Sequence, residues 1–214
     1  MEKANGKVCT GFSHPFVAKY NCAGNDVSFT EGMPLARGVS VDIAPDVSDG
    51  NAFYADNQVA ESDEGQFTGG TVKLTVDGLH QAAERFIYGL PAPVEVPYGE
   101  SQKAKMTKHG NKAVAPYVGI GVIVRYQSAG VTTYVPVILV KTKFKTSGTA
   151  AETQEETKNW QTQDLEAVLH RDDTEDANWK WVGEDLSSEA AALAVLEGIL
   201  NVAAGVEAPA ATEG

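Results

Sequence analysis

The chain has 214 residues, of which 43% are hydrophobic and 21% charged, with 21 glycines and a formal net charge of −12. That balance argues against a disordered chain and fits a soluble protein of one ordinary domain, or of one domain with an appendage. The longest apolar run, Tyr134 to Val140, is broken by Pro136 and falls far short of the roughly 20 residues of a membrane-spanning helix.

The charge is unevenly placed. Residues 1–150 carry 14 acidic and 14 basic side chains, whereas residues 151–214 carry 15 acidic and 3 basic, so the whole excess sits in the last third. An acidic chain is poorly suited to gripping nucleic acid, because phosphate binding is driven by Lys and Arg. Met1 to Lys7 contains no apolar core of signal-peptide length, which leads us to expect a soluble protein made in a cytosol. Cys9 and Cys22 belong to no CxxC or Cys/His cluster and are expected as two thiols rather than a staple framework.

In chain order, residues 1–24 read as an N-terminal arm with short extended pieces. Val39, Val41 and Ile43 alternate with polar residues, the period of a half-buried strand. Phe53-Tyr54-Ala55 is a short aromatic strand or strand end, and Glu61 to Gly65 an acidic turn. Thr71 to Val76 alternates cleanly and predicts a strand with Val72, Leu74 and Val76 inward. A helix follows, with Asp77 as N-cap, Leu79, Ala82, Ala83, Phe86 and Ile87 on one face, and Gly89 as left-handed terminator. Pro91, Pro93 and Pro97 predict an extended connection, and the lysine-rich stretch from Lys103 to Lys112 an exposed loop.

Tyr117 to Tyr126 and Val131 to Phe144 carry the strongest hairpin signal, joined through Gln127 to Gly130. Val118, Ile120, Val122 and Val124 share one face of the first strand. Gly119 and Gly121 thin the other, where a helix or a neighbouring subunit can approach closely. Pro136 points to an edge or a bulge in the second strand, and so apolar an edge needs a cover. Tyr117, Val118, Ile120, Val122, Val124, Val135, Val137 and Leu139 are therefore the predicted subunit-interface hairpin. Trp160 to Leu169 reads as a return strand, Trp179-Lys180-Trp181 as a short extended piece, and Ser187 or Ser188 as the cap of a second helix bearing Leu193, Leu196 and Leu200.

No motif carries chemistry. The four histidines are scattered without metal-ligand spacing, and Gly119-Ile120-Gly121 lacks the third glycine and following helix of a dinucleotide fingerprint. No nucleophile elbow or phosphate loop is present. The expectation is a non-enzyme without cofactor or metal.

The order of elements around Phe53-Tyr54-Ala55-Asp56-Asn57, together with the strand at Gly38 to Val41, the helix ending in Gly89, the hairpin ending in Lys141-Thr142-Lys143-Phe144, Thr157 to Thr162 and Trp179-Lys180-Trp181, resembles the major tail protein, or tail tube protein, family of long-tailed, non-contractile bacteriophages. The resemblance implies a mainly β fold of two packed antiparallel sheets with one flanking helix. It implies hexameric rings that stack into a tail tube, so the first partner is the chain itself. Other implied partners are a tape-measure protein, tail-tip and terminator proteins, and double-stranded DNA passing through the lumen without specific binding, with no membrane. The implied location is the virion tail, after assembly in the host cytoplasm. On this reading residues 1–24 are an N-terminal arm, 25–182 the β domain, and 183–214 an acidic extension with a helix and a tail. Alternatives are a related ring-forming tail terminator or secretion-tube protein, and a monomeric β-sandwich binding module in which Trp160, Trp179 and Trp181 converge.

Overall fold

The computed structural model describes residues 6–50, 52–55, 58–62, 65–146, 148 and 161–202. The chain is mainly β, as its alternating patterns predict. Its centre is a hairpin of β9 (Val118–Ser128) and β10 (Val131–Phe144). The turn is tighter than predicted: Ala129 and Gly130 alone connect Ser128 to Val131, with φ of 49° and 84°. Two successive positive φ values match the right-handed twist of the flanking strands.

β1 (Val8–Ala23) pairs with the free side of β9, and β2 (Asp26–Pro34) with β1. The predicted N-terminal arm is thus a 16-residue strand inside the main sheet. Its bulges, between Cys9 and Gly11 and between Ser13 and Phe16, break the period of two and hide the strand from pattern reading. On its other side β10 pairs with both β11 (Gln163–His170) and the short β12 (Lys180–Val182). β6 (Phe67–Val76) pairs with β11, and β3 (Gly38–Val47) with β6, so the strand order is β2-β1-β9-β10-β11-β6-β3, every neighbouring pair antiparallel.

The sheet curls on itself. Val17 of β1, Val118, Ile120 and Val122 of β9, Val135, Val137 and Leu139 of β10, Leu165, Ala167 and Leu169 of β11, and Val72, Leu74 and Val76 of β6 all join one buried cluster. β3 approaches β1, where the Phe12 ring lies against Gly38. The helix α1 (Gln81–Tyr88) inserts Ala83, Ile87 and Tyr88 into this core. Its terminator is Gly89 in the left-handed region, as predicted. Its N-cap is His80 rather than Asp77, whose carboxylate instead accepts bonds from the backbone N–H and Nε of Arg37.

A second core lies on the outer side of the same strands. Phe16, Ala18, Tyr20, Phe29, Ile123, Ile138 and Val140 are covered by Ala192 and Leu196 of α2 (Glu189–Ile199) and by its C-cap Leu200. Ser188 caps α2, its hydroxyl accepting the N–H of Ala191. β9 and β10 are therefore buried on both faces, which explains their near-continuous apolar sequence.

Two small hairpins lie apart from the main sheet: β4 (Ala52–Ala55) with β5 (Gln58–Ser62), and β7 (Val94–Tyr98) with β8 (Gln102–Met106). The second occupies the region read from sequence as an extended connection and a lysine loop.

Candidate assembly surfaces

The predicted interface hairpin is not a surface. Val118, Ile120, Val122, Val135, Val137 and Leu139 are buried in the chain's own core, Val124 packs against that core half-buried, and only Tyr117 is substantially exposed, at 41%. Both hairpin edges are also occupied, by β1 on one side and by β11 and β12 on the other. Pro136 does not mark an edge. Tyr134 and Val140, which share its parity, donate their N–H groups to Leu186 and Trp179. The missing donor of Pro136 thus faces the segment after β12, and the ladder to β9 is untouched.

The glycine-thinned face does meet a close neighbour, and it belongs to the same chain. A Cβ on Gly119 would lie 2.3 Å from the Phe29 ring, and one on Gly121 2.5 Å from Leu200 Cδ1. Of the family motif, Phe53, Tyr54 and Ala55 fall in β4, while Asp56 and Asn57 lie outside the described residues. Trp179 and Trp181 do not converge: Trp179 stacks on Phe67 against the inner core, and Trp181 meets Phe29 edge-on in the outer one. Strand alternation sends them to opposite faces. Trp160 lies outside the described residues.

What stays open is the perimeter. Among the described residues β3 pairs only with β6 and β2 only with β1, so these two strands form the ends of the curled sheet. The β2 edge is met by Val202, which bridges Gly32 in parallel. Along β3, Val39 and Val47 are exposed.

The outer face of β3, β6 and β11 is polar. Register places Lys145, Glu166, Lys73 and Asp42 in one row of alternating charge. Lys145 pairs with Glu166 and, helped by Lys73, holds that carboxyl below the usual range. Beside the row, Thr75 Oγ1 donates to Asp164 Oδ1 at 2.7 Å, and the whole forms an open groove of about 600 Å³.

At the end of β10 the lysines diverge in role. The Lys141 side chain is only 12% exposed, lies over the rings of Tyr20 and Tyr117, and pairs with Asp173 at 2.5 Å. Lys143 also lies over Tyr117, whose ring meets His170 edge-on. The hydrogen bond from Lys141 depresses the Asp173 pKa; burial, then Lys141 and Lys143, depress that of His170; burial pushes the Tyr20 phenol up. This cluster is a latch. It fastens the 170–178 segment to β1, with Asp173 N–H donating to Tyr20 Oη at 2.9 Å and Glu175 N–H to Asn25 Oδ1 at 2.8 Å.

Among the described residues, no group of three or more His, Cys, Asp or Glu side chains is placed to hold a metal ion. No family model and no curated protein matches the chain. Any function must be argued from its surfaces.

Proposed function

We propose that this chain is a structural subunit that assembles with copies of itself into a tube, the tail tube of a long-tailed bacteriophage. The supporting observation is the open edge of β3, ten residues of strand with one side unpaired among the described residues, on a sheet whose centre is sealed on both faces. An exposed strand edge is a template for another chain, and ring closure is one way to remove it. The polar outer face of β3, β6 and β11, covered by no helix among the described residues, is the face suited to a water-filled lumen. Its alternating charges would give passing DNA no continuous basic track to bind. Six subunits per ring, a tape-measure protein inside and terminator and tip proteins at the ends come from the family resemblance alone.

The test is negative-stain electron microscopy of the purified protein over a concentration series, beside sedimentation velocity. Hollow tubes or stacked rings are expected. Single closed rings that never stack would favour the tail-terminator reading. A monomer at every concentration that remains monomeric with tail-tip initiator proteins would overturn both.

A further inference from the structure

Two apolar faces have no partner among the described residues. The first belongs to the β7–β8 hairpin. Val94 is opposite Met106, Val96 opposite Ala104 and Tyr98 opposite Gln102, so these side chains share one face, while Glu95, Pro97, Lys103 and Lys105 share the other. Val94, Tyr98 and Met106 are 43%, 55% and 52% exposed, and no residue of the hairpin joins either core cluster. A two-stranded hairpin alone in water is marginal, and an amphipathic one gains most when its apolar face is covered.

The second is the outward face of α2. Ala191, Ala194, Val195, Gly198 and Ile199 are all exposed, opposite the buried Ala192, Leu196 and Leu200. A helix apolar on both sides is the pattern of a helix covered on both sides. Here α2 packs against β2, β9 and β10 on one side only, and the hairpin strands pack on each other.

The faces match in length, and the segments that carry them are opposite in net charge. Val94 to Tyr98 spans about 13 Å of strand, and Ala191 to Ile199 about 12 Å of helix. Residues 94–112 hold four lysines against two glutamates, whereas residues 183–202 hold Glu184, Asp185, Glu189 and Glu197 with no Lys or Arg. Lys103 is paired with Glu95 at 3.0 Å, Asp185 with Lys7, and Glu189 faces His14, but Lys105, Lys108, Lys112, Glu184 and Glu197 enter no ion pair among the described residues.

We infer that the apolar face of the β7–β8 hairpin of one copy docks on the outward face of α2 of a second copy, bringing the net positive 94–112 segment beside the net negative 183–202 segment. The contact joins two different patches, so it propagates from copy to copy instead of closing on a two-fold axis. It rests on the tube-subunit reading for its setting, and adds which surfaces meet.

The test uses the full chain with Cys9→Ser and Cys22→Ser as background. One protein carries Met106→Cys and another Ile199→Cys; Tyr98→Cys with Val195→Cys forms a second pair. All four positions are exposed or at a surface edge, and unchanged melting temperatures check folding. Under mild oxidation, at least one pair should give severalfold more disulfide-linked dimer when mixed than either member alone. Added salt should lower the yield by screening the attraction between these oppositely charged segments. No excess in either mixture, or equal cross-linking of each member alone, would overturn the contact. Electron microscopy separates the two ideas. Tubes without the cross-link would leave the tube reading standing and remove this contact; cross-linked dimers that give no tubes even with tail-tip initiator proteins would do the reverse.

Discussion

Leu200 ends on Gly121. The Leu200 Cδ1 atom occupies space that a Cβ on that glycine would reach at 2.5 Å, so the last turn of α2 sits directly on the backbone of the central strand. The same strand two residues earlier receives the ring of Phe29 on Gly119. Close backbone approach is what these glycines provide, and side chains from opposite ends of the chain use it.

Gly119→Ala should therefore destabilise more than Gly121→Ala. The Phe29 ring is rigid and 5% exposed, whereas the Leu200 terminus can rotate. Overpacking of this kind costs about 1–3 kcal/mol. Gly198→Ala, where a Cβ meets nothing within 4 Å, should instead stabilise by about 0.5–1 kcal/mol. Urea midpoints of the three variants give the order, and an equal loss for all three would contradict it.

Leu196→Ala should cost about 2–5 kcal/mol, the range for a fully buried leucine. Removing residues 183–214 should do worse, because it uncovers Phe16, Ile123, Ile138 and Val140 together. The expected outcome is an aggregating or molten body with weakened near-ultraviolet circular dichroism. A truncated chain as stable as the full one would show that α2 is an ornament.

His170 should make stability depend on pH near neutrality. Burial, then Lys141 and Lys143, lowers its folded pKa beneath the ordinary value of about 6.5. In the window between the two values the unfolded chain binds more protons, so stability rises with pH. The contribution is complete above about pH 6.5 and is lost as pH falls through the depressed folded value. His170→Gln should flatten this segment of the profile. An imidazole titration by nuclear magnetic resonance that places His170 at or above the ordinary value would sink the argument.

Val39→Lys and Val47→Lys on β3 should change stability by no more than about 0.5 kcal/mol, as exposed substitutions do. They should nonetheless suppress assembly, because lysines on a strand edge discourage pairing with another chain. The comparison needs sedimentation velocity and a melting curve on each variant. Unimpaired tubes would remove β3 from the subunit contact.

Much of the architecture was legible from local pattern. Alternation located β3, β6, β9 and β10, and Gly89 and Ser188 marked a helix end and a helix start, because strand period and cap chemistry are properties of a few neighbouring residues. β1 was not legible, since its bulges shift the side-chain parity at Gly11 and Phe16. The β7–β8 hairpin was obscured by lysines and prolines, although Val94, Val96 and Tyr98 alternate and Gly99 has the positive φ of a turn.

Which apolar residues face inward and which face a partner is another matter. Ile120 and Val195 are both apolar side chains on regular elements, yet one is buried in the central sheet and the other lies on an open helix face. Composition and period determine that a residue is apolar and on which side of its element it falls. Only the tertiary structure decides whether that side is already covered, because the covers come from segments distant along the chain: α2 over β9, and β1 beside it. The sequence by itself determined a β protein with two helices and an acidic last third; the curl of the sheet decided that its most apolar hairpin is core and that its perimeter is what remains to bind.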